Sequence, residues 1–224
     1  MISIVIPTIN EEKNISKTLT KISNIKELSI AEVIIVDDNS EDKTIDIVQS
    51  FKKKMNIKVV RNKKRLGLGY ALSRGFKISK NPFVMFIDAD LSIKKNDIIK
   101  LYNYREQNSI IIGSRYLKRS RIFGANKLKV YLSFFLNYIT SKIFRLPIID
   151  LSHSFRIISK KISVKSKNLS HPGFFWEFTI NANRRNKKIK EIPISFYDRK
   201  YGISKNSSIR MFKSIIISYY NLFK

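Results

Sequence analysis

Residues 83–90 read FVMFIDAD, an uninterrupted apolar run that ends in two aspartates separated by one alanine. Continuous apolar runs of this length, without alternating polar residues, are typical of strands that are covered on both faces of a sheet. Similar runs occur at Ile2–Pro7, Glu32–Val36, Ile57–Val60 and Ile110–Ile112. The sequence therefore predicts a sheet of five strands that is covered on both faces.

Segments with helical periodicity separate these strands. Within Glu11–Ile25, the apolar residues Ile15, Leu19 and Ile22 recur at the spacing of one helix face. Further helices are predicted over Asp42–Met55, Gly67–Ser79 and Lys94–Glu106. Alternating strands and helices favour an α/β fold with a mostly parallel central sheet flanked by helices. We expect one domain over residues 1–224, because no linker or repeat interrupts the pattern.

The chain of 224 residues carries 44 basic and 17 acidic residues, a net charge of +27. Its content of 43% hydrophobic and 12% aromatic residues excludes a disordered basic tail. The first 50 residues hold five basic and nine acidic residues, a net charge of −4, so the basic excess lies downstream. There it is interleaved with apolar residues, which favours a folded protein with a basic face over a nucleic-acid-binding arm. The charge indicates an anionic partner.

Acidic residues follow three of the predicted strands. Glu11 comes after the first strand, Asp37 and Asp38 after the second, and Asp88 and Asp90 after the fourth. In open α/β sheets, ligands bind at the carboxyl ends of the strands. The chain has no cysteine and two histidines, so a metal ion at this edge would have oxygen ligands, which favours Mg²⁺ or Mn²⁺ over zinc. Magnesium completes its shell with substrate phosphates, which implies a phosphate-bearing substrate.

Several motifs occur in a fixed order along the chain. They are IVIPTINEE at 4–12, VDDNS at 36–40, LGLGYAL at 66–72, DAD at 88–90, GSRY at 113–116, DLS at 150–152, SFR at 154–156 and DRKYGISK at 198–205. Together they resemble glycosyltransferase family 2, with the GT-A nucleotide-sugar fold, and most of all its dolichol-phosphate mannose synthase branch. Each motif alone is weak, whereas the ordered set is specific.

The resemblance implies a metal-dependent hexosyltransferase that binds a nucleotide diphosphate sugar of the GDP-mannose or UDP-glucose type. Its nucleotide-sugar site would comprise Pro7, Ile9, Glu11, Val36, Asp38, Asp88, Ala89, Asp90, Arg115, Arg199 and Lys205. The residues implied in catalysis are Asp90, Arg115, Arg199 and Lys205. Asp88 and Asp90 would bind Mg²⁺ or Mn²⁺, with Ser92 as a further candidate ligand where some relatives have glutamine. Residues 1–120 would form this half of the domain, and 121–224 the acceptor- and membrane-facing half.

The resemblance also implies inverting transfer to a polyprenyl or dolichyl phosphate, with Arg156 and Ser204 contacting the acceptor phosphate. A phosphomonoester, whose second pKa is roughly 6, is already ionised near neutral pH and needs no general base, which agrees with the scarcity of histidine. The alternative is a family 2 enzyme that acts on a sugar hydroxyl in cell-surface polysaccharide synthesis. Such an enzyme would need a base, for which Asp150 and Glu177 are the candidates.

Two segments of the second half predict amphipathic helices. In Lys127–Phe144, a narrow polar stripe opposes a wide apolar arc with basic residues at both ends, and Arg210–Lys224 is similar. No apolar run is long enough for a transmembrane helix, and no signal peptide pattern is present. We expect a cytoplasmic protein that docks peripherally on an anionic membrane surface, directly or through a membrane-anchoring partner protein, and that binds no nucleic acid. The competing interpretation places Lys127–Phe144 in the core.

Overall fold

The strands and helices of a computed structural model follow the predicted alternation. The model describes residues 1–90, 92–162, 173–198 and 216–222. The strands are β1 (Ile2–Thr8), β2 (Ile30–Asp37), β3 (Ile57–Arg61), β4 (Phe83–Phe86), β5 (Ser109–Ser114), β6 (Arg121–Phe123), β7 (Arg156–Ser159), β8 (Lys188–Pro193) and β9 (Ser195–Tyr197). The helices are α1 (Ile15–Ser23), α2 (Thr44–Ser50), α3 (Leu68–Ile78), α4 (Lys95–Asn103), α5 (Lys127–Ile143) and α6 (Phe174–Arg184).

Seven strands form the central sheet in the order β3-β2-β1-β4-β7-β5-β8. All neighbouring pairs are parallel except those of β7, which runs antiparallel to both β4 and β5. Strands β6 and β9 form a separate parallel pair. The mostly parallel sheet confirms the predicted fold class. The sequence did not predict β7 and β8, which complete the sheet from the second half of the chain.

Apolar side chains cover both faces of the sheet, which is why the strand sequences lack alternation. On β1, Ile4 and Ile6 face the core that is closed by α1, α2 and α4. Val5 faces the opposite core, which contains Leu72 of α3 and Trp176 of α6. The carboxyl ends of β2, β1 and β4 consequently lie side by side at one edge.

Helix α5 turns its polar stripe inward and its apolar arc outward. Asn137, Thr140 and Ser141 are buried, and Asn137 is only 1% exposed. The exposed apolar side chains of α5 are Leu128, Tyr131, Leu132, Phe135, Tyr138, Ile139 and Ile143, with exposures from 37% to 66%. The interpretation of this segment as buried core is therefore wrong.

The second predicted amphipathic segment lies only in part within the described residues. Residues 216–222 are helical, and Ile216, Ile217 and Tyr220 are exposed there. Among the helices that the structure describes, none has both the length and the hydropathy to cross a membrane.

Helix α3 packs closely against the sheet at Gly75. A Cβ atom at Gly75 would collide with Val5 and lie 3.2 Å from Val36 Cγ2. We expect Gly75→Ala to lower the free energy of unfolding by about 1–2 kcal/mol, because overpacking outweighs the gain in helix propensity. Urea unfolding measures the change. The control is Lys77→Ala, since Lys77 is exposed on the same helix; a Gly75→Ala protein as stable as this control would contradict the packing.

Candidate active site

The two acids that end β2 have different surroundings. Asp37 is fully buried and serves the local fold. Its carboxylate accepts hydrogen bonds from Thr8 Oγ1 at 3.2 Å and from the Ser40 backbone N–H at 3.0 Å, and it lies 3.4 Å from Arg61 Nε. These bonds fix the turn after β2 and compensate the buried charge.

Asp38 holds the loop that leads into α3. Its carboxylate accepts hydrogen bonds from the backbone N–H groups of Leu66 at 2.7 Å and Gly67 at 2.8 Å, and from Asn62 Nδ2 at 2.9 Å. Asp38 is 5% exposed. The loop it anchors carries three exposed cations, Lys63, Lys64 and Arg65. The sequence did not predict this basic loop, although the LGLG motif at 66–69 lies at its end.

The loop after β1 lies beside this turn. Pro7 and Ile9 are half-buried, and the Glu11 backbone N–H donates to Thr44 Oγ1 at 2.8 Å. The Glu11 carboxylate accepts a hydrogen bond from Asn14 Nδ2 at 2.7 Å. Val36, by contrast, is fully buried within the core on the α3 face. The prediction that Val36 contacts a nucleotide is not supported at its side chain, because the sheet and α3 cover it.

Asp88 and Asp90 flank the buried Ala89 at the end of β4, and both carboxylates are partly exposed. Ser154 Oγ donates to Asp88, and the Ser92 backbone N–H donates to Asp90 Oδ1 at 3.2 Å. Thr18 Oγ1 donates to the Ala89 carbonyl at 2.7 Å, which ties the turn to α1.

These residues fit a hard divalent cation. Two partly exposed acidic residues separated by one alanine would supply the one or two carboxylate ligands that Mg²⁺ takes when phosphates and water complete its shell. Within the described part of the chain, no group of three or more acidic or histidine side chains forms an all-protein cage. Ser92 is buried beneath Asp90, where its backbone orients that carboxylate.

Arg115, at the end of β5, is paired with Asp150. Arg115 Nε and Nη2 donate to the two Asp150 oxygens at 2.9 and 2.8 Å, and the Arg115 backbone N–H donates to Asp150 Oδ2 at 2.9 Å. Arg115 Nη2 also donates to Ser152 Oγ at 2.9 Å. The Arg115 side chain is 17% exposed, whereas the Asp150 side chain is fully buried. Burial would lower the pKa of Arg115, but the charges of Asp150 and, more weakly, Asp88 outweigh it and raise the pKa.

Asp150 is held ionised. Burial alone would raise the pKa of Asp150, but the Arg115 charge and hydrogen bonds outweigh it and lower the pKa to about 2. Glu191 of β8 accepts hydrogen bonds from the backbone N–H groups of Ile149 at 2.9 Å and Asp150 at 2.6 Å, which fixes the loop. A carboxylate of such low pKa is a poor general base near neutral pH.

Arg156 does not reach this site. It is completely buried on β7, where it donates to the carbonyls of Leu151 and His153 and to Thr179 Oγ1, and its guanidinium lies 3.9 Å from the ring centroid of Phe175. The predicted contact with an acceptor phosphate is therefore wrong for this structure, because no part of the side chain reaches solvent. Burial lowers the pKa of Arg156 to about 9.

His153 and the candidate base Glu177 lie inside the protein. His153 Nδ1–H donates to the Gly113 carbonyl at 2.6 Å, and burial, followed by the Arg115 charge, lowers its pKa to about 4. Glu177 on α6 is 1% exposed and accepts from Asn221 Nδ2 at 3.1 Å. Arg199, Ser204 and Lys205 lie outside the described residues. The structure thus brings together Asp38 with the loop after β1, and Asp88 with Arg115.

Comparison with known proteins agrees with this architecture. Residues 3–165 match the family model of Glycosyl transferase family 2. A dolichol-phosphate mannosyltransferase of Pyrococcus furiosus is 31% identical over 208 residues, 91% of this chain and 58% of that protein, so the chain spans less than two thirds of that relative. An uncharacterized protein of Methanocaldococcus jannaschii is 31% identical over 219 residues, 93% of this chain and 86% of the relative.

Solved structures show the same fold. Glucosyl-3-phosphoglycerate synthase of Mycobacterium tuberculosis, in complex with Mn²⁺, uridine diphosphate and phosphoglyceric acid, superimposes with a TM-score of 0.74 at 17% identity. The match covers 97% of this chain and 78% of that one. The fold is therefore the GT-A fold.

The low pKa of Asp150 in its pair with Arg115 makes the free energy of unfolding depend on pH. The folded-state pKa of Asp150, about 2, lies below its ordinary value of 3.8, so its contribution is present above pH 3.8 and is lost as the pH falls toward 2. That contribution is about 2 kcal/mol. We expect Asp150→Asn to lower the free energy of unfolding by about 3–5 kcal/mol at pH 7, since it leaves a buried unpaired cation.

Chemical unfolding at pH 7 and at pH 3 measures both effects. The exposed acid Asp46 gives the matched control, Asp46→Asn. We expect the penalty of Asp150→Asn to be smaller at pH 3 than at pH 7, and an equal penalty at both values would contradict the low pKa of Asp150.

Proposed function

The chain belongs to glycosyltransferase family 2, and we propose that it transfers a hexose from a nucleotide diphosphate sugar to a polyprenyl phosphate at a membrane surface, with inversion. The observation that carries this proposal is the outward apolar face of α5. The inner face of the same helix is hydrogen-bonded through Asn137 and Ser152 to Arg115. A lipid-borne acceptor needs such a junction between an apolar surface and a cationic site.

The nucleotide diphosphate sugar would bind at the edge of the sheet formed by β1, β2 and β4. Glu11 would offer carboxylate oxygens to the N–H and O–H groups of a nucleoside, and Asp38 would act by holding the loop that presents Lys63, Lys64 and Arg65. Asp88 and Asp90 would hold Mg²⁺ or Mn²⁺, which when bound supplies charge neutralisation for the departing diphosphate. The Mn²⁺ and uridine diphosphate bound by the M. tuberculosis enzyme support this assignment.

The surroundings of the two candidate bases, Asp150 and Glu177, favour a phosphate acceptor over a sugar hydroxyl. A hydroxyl needs a general base, but the low pKa of the buried Asp150, which is paired with Arg115, makes it a weak base, and Glu177 is buried on α6. An ionised phosphate needs positioning and charge compensation instead. Arg115 lies where it would provide both, and Arg199, Ser204 and Lys205 would add to them. Residues 1–120 would then serve the donor and 121–224 the acceptor and membrane.

An apolar pocket extends from Tyr116 along α5. It has a volume of about 370 Å³, and its lining includes Tyr116, Val130, Tyr131 and Phe134, with Lys127 among them. Because Tyr116 follows Arg115 directly, the pocket would receive the first isoprene units of an acceptor whose phosphate faces Arg115. The exposed lysines of α5, Lys127, Lys129 and Lys142, would face anionic headgroups.

A transfer assay with matched acceptors tests the proposal. We expect labelled glycolipid from GDP-mannose or UDP-glucose with a polyprenyl phosphate and Mn²⁺ or Mg²⁺, and no product with the polyprenol of the same length, since that alcohol needs a base. The variant Asp90→Ala should lose at least a hundredfold in rate. Asp46→Ala, at an exposed acid on α2, is the control. Transfer to the alcohol, or none from any donor, would refute the phosphate acceptor.

Vesicle binding tests the apolar face separately. Phe135→Glu removes an apolar contact worth about 2 kcal/mol, so binding to vesicles of phosphatidylglycerol and phosphatidylcholine should weaken by roughly thirtyfold. Tyr104→Glu makes a comparable change at another exposed aromatic residue, beyond α4, and should leave binding unchanged. Sedimentation with vesicles measures both. Equal effects of the two substitutions would place the docking surface elsewhere.

A further inference from the structure

The polar stripe of α5 is bonded to the loop at 146–152 over successive turns. Ser141 Oγ donates to the carbonyl of Ile148, and the Leu146 backbone N–H donates to the Ser141 carbonyl at 2.9 Å. At the other end of the stripe, Tyr116 Oη donates to Ser133 Oγ at 2.7 Å. The helix whose apolar face is exposed is thus attached to the protein through polar contacts along its inner face.

Asn137 lies at the middle of the stripe and uses both ends of its amide. Asn137 Oδ1 accepts the backbone N–H groups of Leu151 at 2.9 Å and Ser152 at 3.1 Å. Asn137 Nδ2 donates to Ser152 Oγ at 3.1 Å and to the Ser133 carbonyl at 2.7 Å. This side chain therefore fixes both the backbone and the hydroxyl of Ser152 relative to the helix.

Ser152 carries the connection to the site. Its Oγ accepts from Arg115 Nη2 at 2.9 Å, so Asn137 and Arg115 bond the same oxygen. Asp150, two residues earlier in the same loop, takes the other hydrogen bonds of Arg115. A displacement of α5 would move Ser152, and with it one of the groups that orient the guanidinium.

We propose that Asn137 is a positioning residue that couples α5 to Arg115, so that contact of the apolar face with a lipid surface raises the activity of the site. This coupling rests on the proposed function only in its kinetic test, which measures sugar transfer. The apolar side chains of α5 gain free energy when a lipid surface covers them, which favours one position of the helix. Through the hydrogen bonds of Asn137, a shift of the helix would also move Ser152 and so change the orientation of Arg115.

The kinetic test uses a short-chain, water-soluble prenyl phosphate, with and without vesicles of phosphatidylglycerol and phosphatidylcholine. We expect vesicles to raise kcat in the wild-type protein. Asn137→Ala should lower kcat by roughly tenfold and remove the stimulation, while KM for the nucleotide sugar stays unchanged. Ser152→Ala should behave likewise, and Ser152→Thr, which keeps the hydroxyl, should restore the stimulation.

Asn126→Ala is the matched control. Asn126 caps the same helix by accepting from the Lys129 backbone N–H at 3.1 Å, so its loss weakens α5 while leaving the Asn137–Ser152 contact in place. The control should keep the vesicle stimulation. Loss of stimulation in Asn126→Ala alone, or stimulation that survives in Asn137→Ala, would overturn the coupling in favour of a purely structural role.

Hydrogen exchange separates this proposal from the proposed function, because it needs no substrate. Vesicles should slow exchange at the backbone amides of Leu151 and Ser152 in the wild-type protein, and have less effect in Asn137→Ala. Unchanged exchange in the wild-type protein would overturn the coupling whatever the activity. Slowed exchange in a protein that transfers no sugar to any prenyl phosphate would support the coupling and refute the acceptor.

Discussion

The ion pair between Arg115 and Asp150 is the constraint on which the second half of the structure depends. A buried carboxylate is tolerated only when charge and hydrogen bonds compensate its desolvation. Asp150 obtains both from Arg115, while Glu191 fixes the backbone that carries Asp150. The pair therefore joins the end of β5, the loop before β7, and β8. Hydrogen bonds through Ser152 and Asn137 also connect the same pair to α5.

The acids at the strand ends differ in burial. Asp37 is compensated by Arg61 and the Ser40 turn, and Asp38 by the amides of the loop before α3. Asp88 and Asp90 keep partly exposed carboxylates at the end of β4. Asp37 and Asp38 are almost completely buried, whereas Asp88 and Asp90 are partly exposed, which is why the proposed metal site is placed at the second pair.

The first half of the fold was predictable from the sequence because its strands are continuous apolar runs with acids at their ends. The strands from β1 to β5 and the helices between them lie where periodicity places them. Strand β7 was not predicted, since its four residues include Arg156 and nothing in the local pattern indicates a buried arginine. Its burial depends on the carbonyls of Leu151 and His153, which the fold supplies from a neighbouring loop.

Periodicity also defined the two faces of α5 without showing which one faces the protein. Hydrophobic burial alone would turn the apolar arc inward. The structure does the reverse, because Asn137 and Ser141 meet the backbone groups of the 146–152 loop, which need hydrogen-bond partners when buried. Which face of α5 is turned toward the protein therefore depends on contacts between segments that are distant in the sequence. The roles of Asp37 and Asp38 were hard to separate for the same reason.

The most direct test of the donor site is a crystal structure with a nucleoside diphosphate and Mn²⁺, with diffraction recorded at the manganese absorption edge. We expect an anomalous peak between the Asp88 and Asp90 carboxylates, in contact with the diphosphate, at the carboxyl end of β4. A peak at other residues, or a bound nucleotide with no manganese beside these two carboxylates, would contradict it.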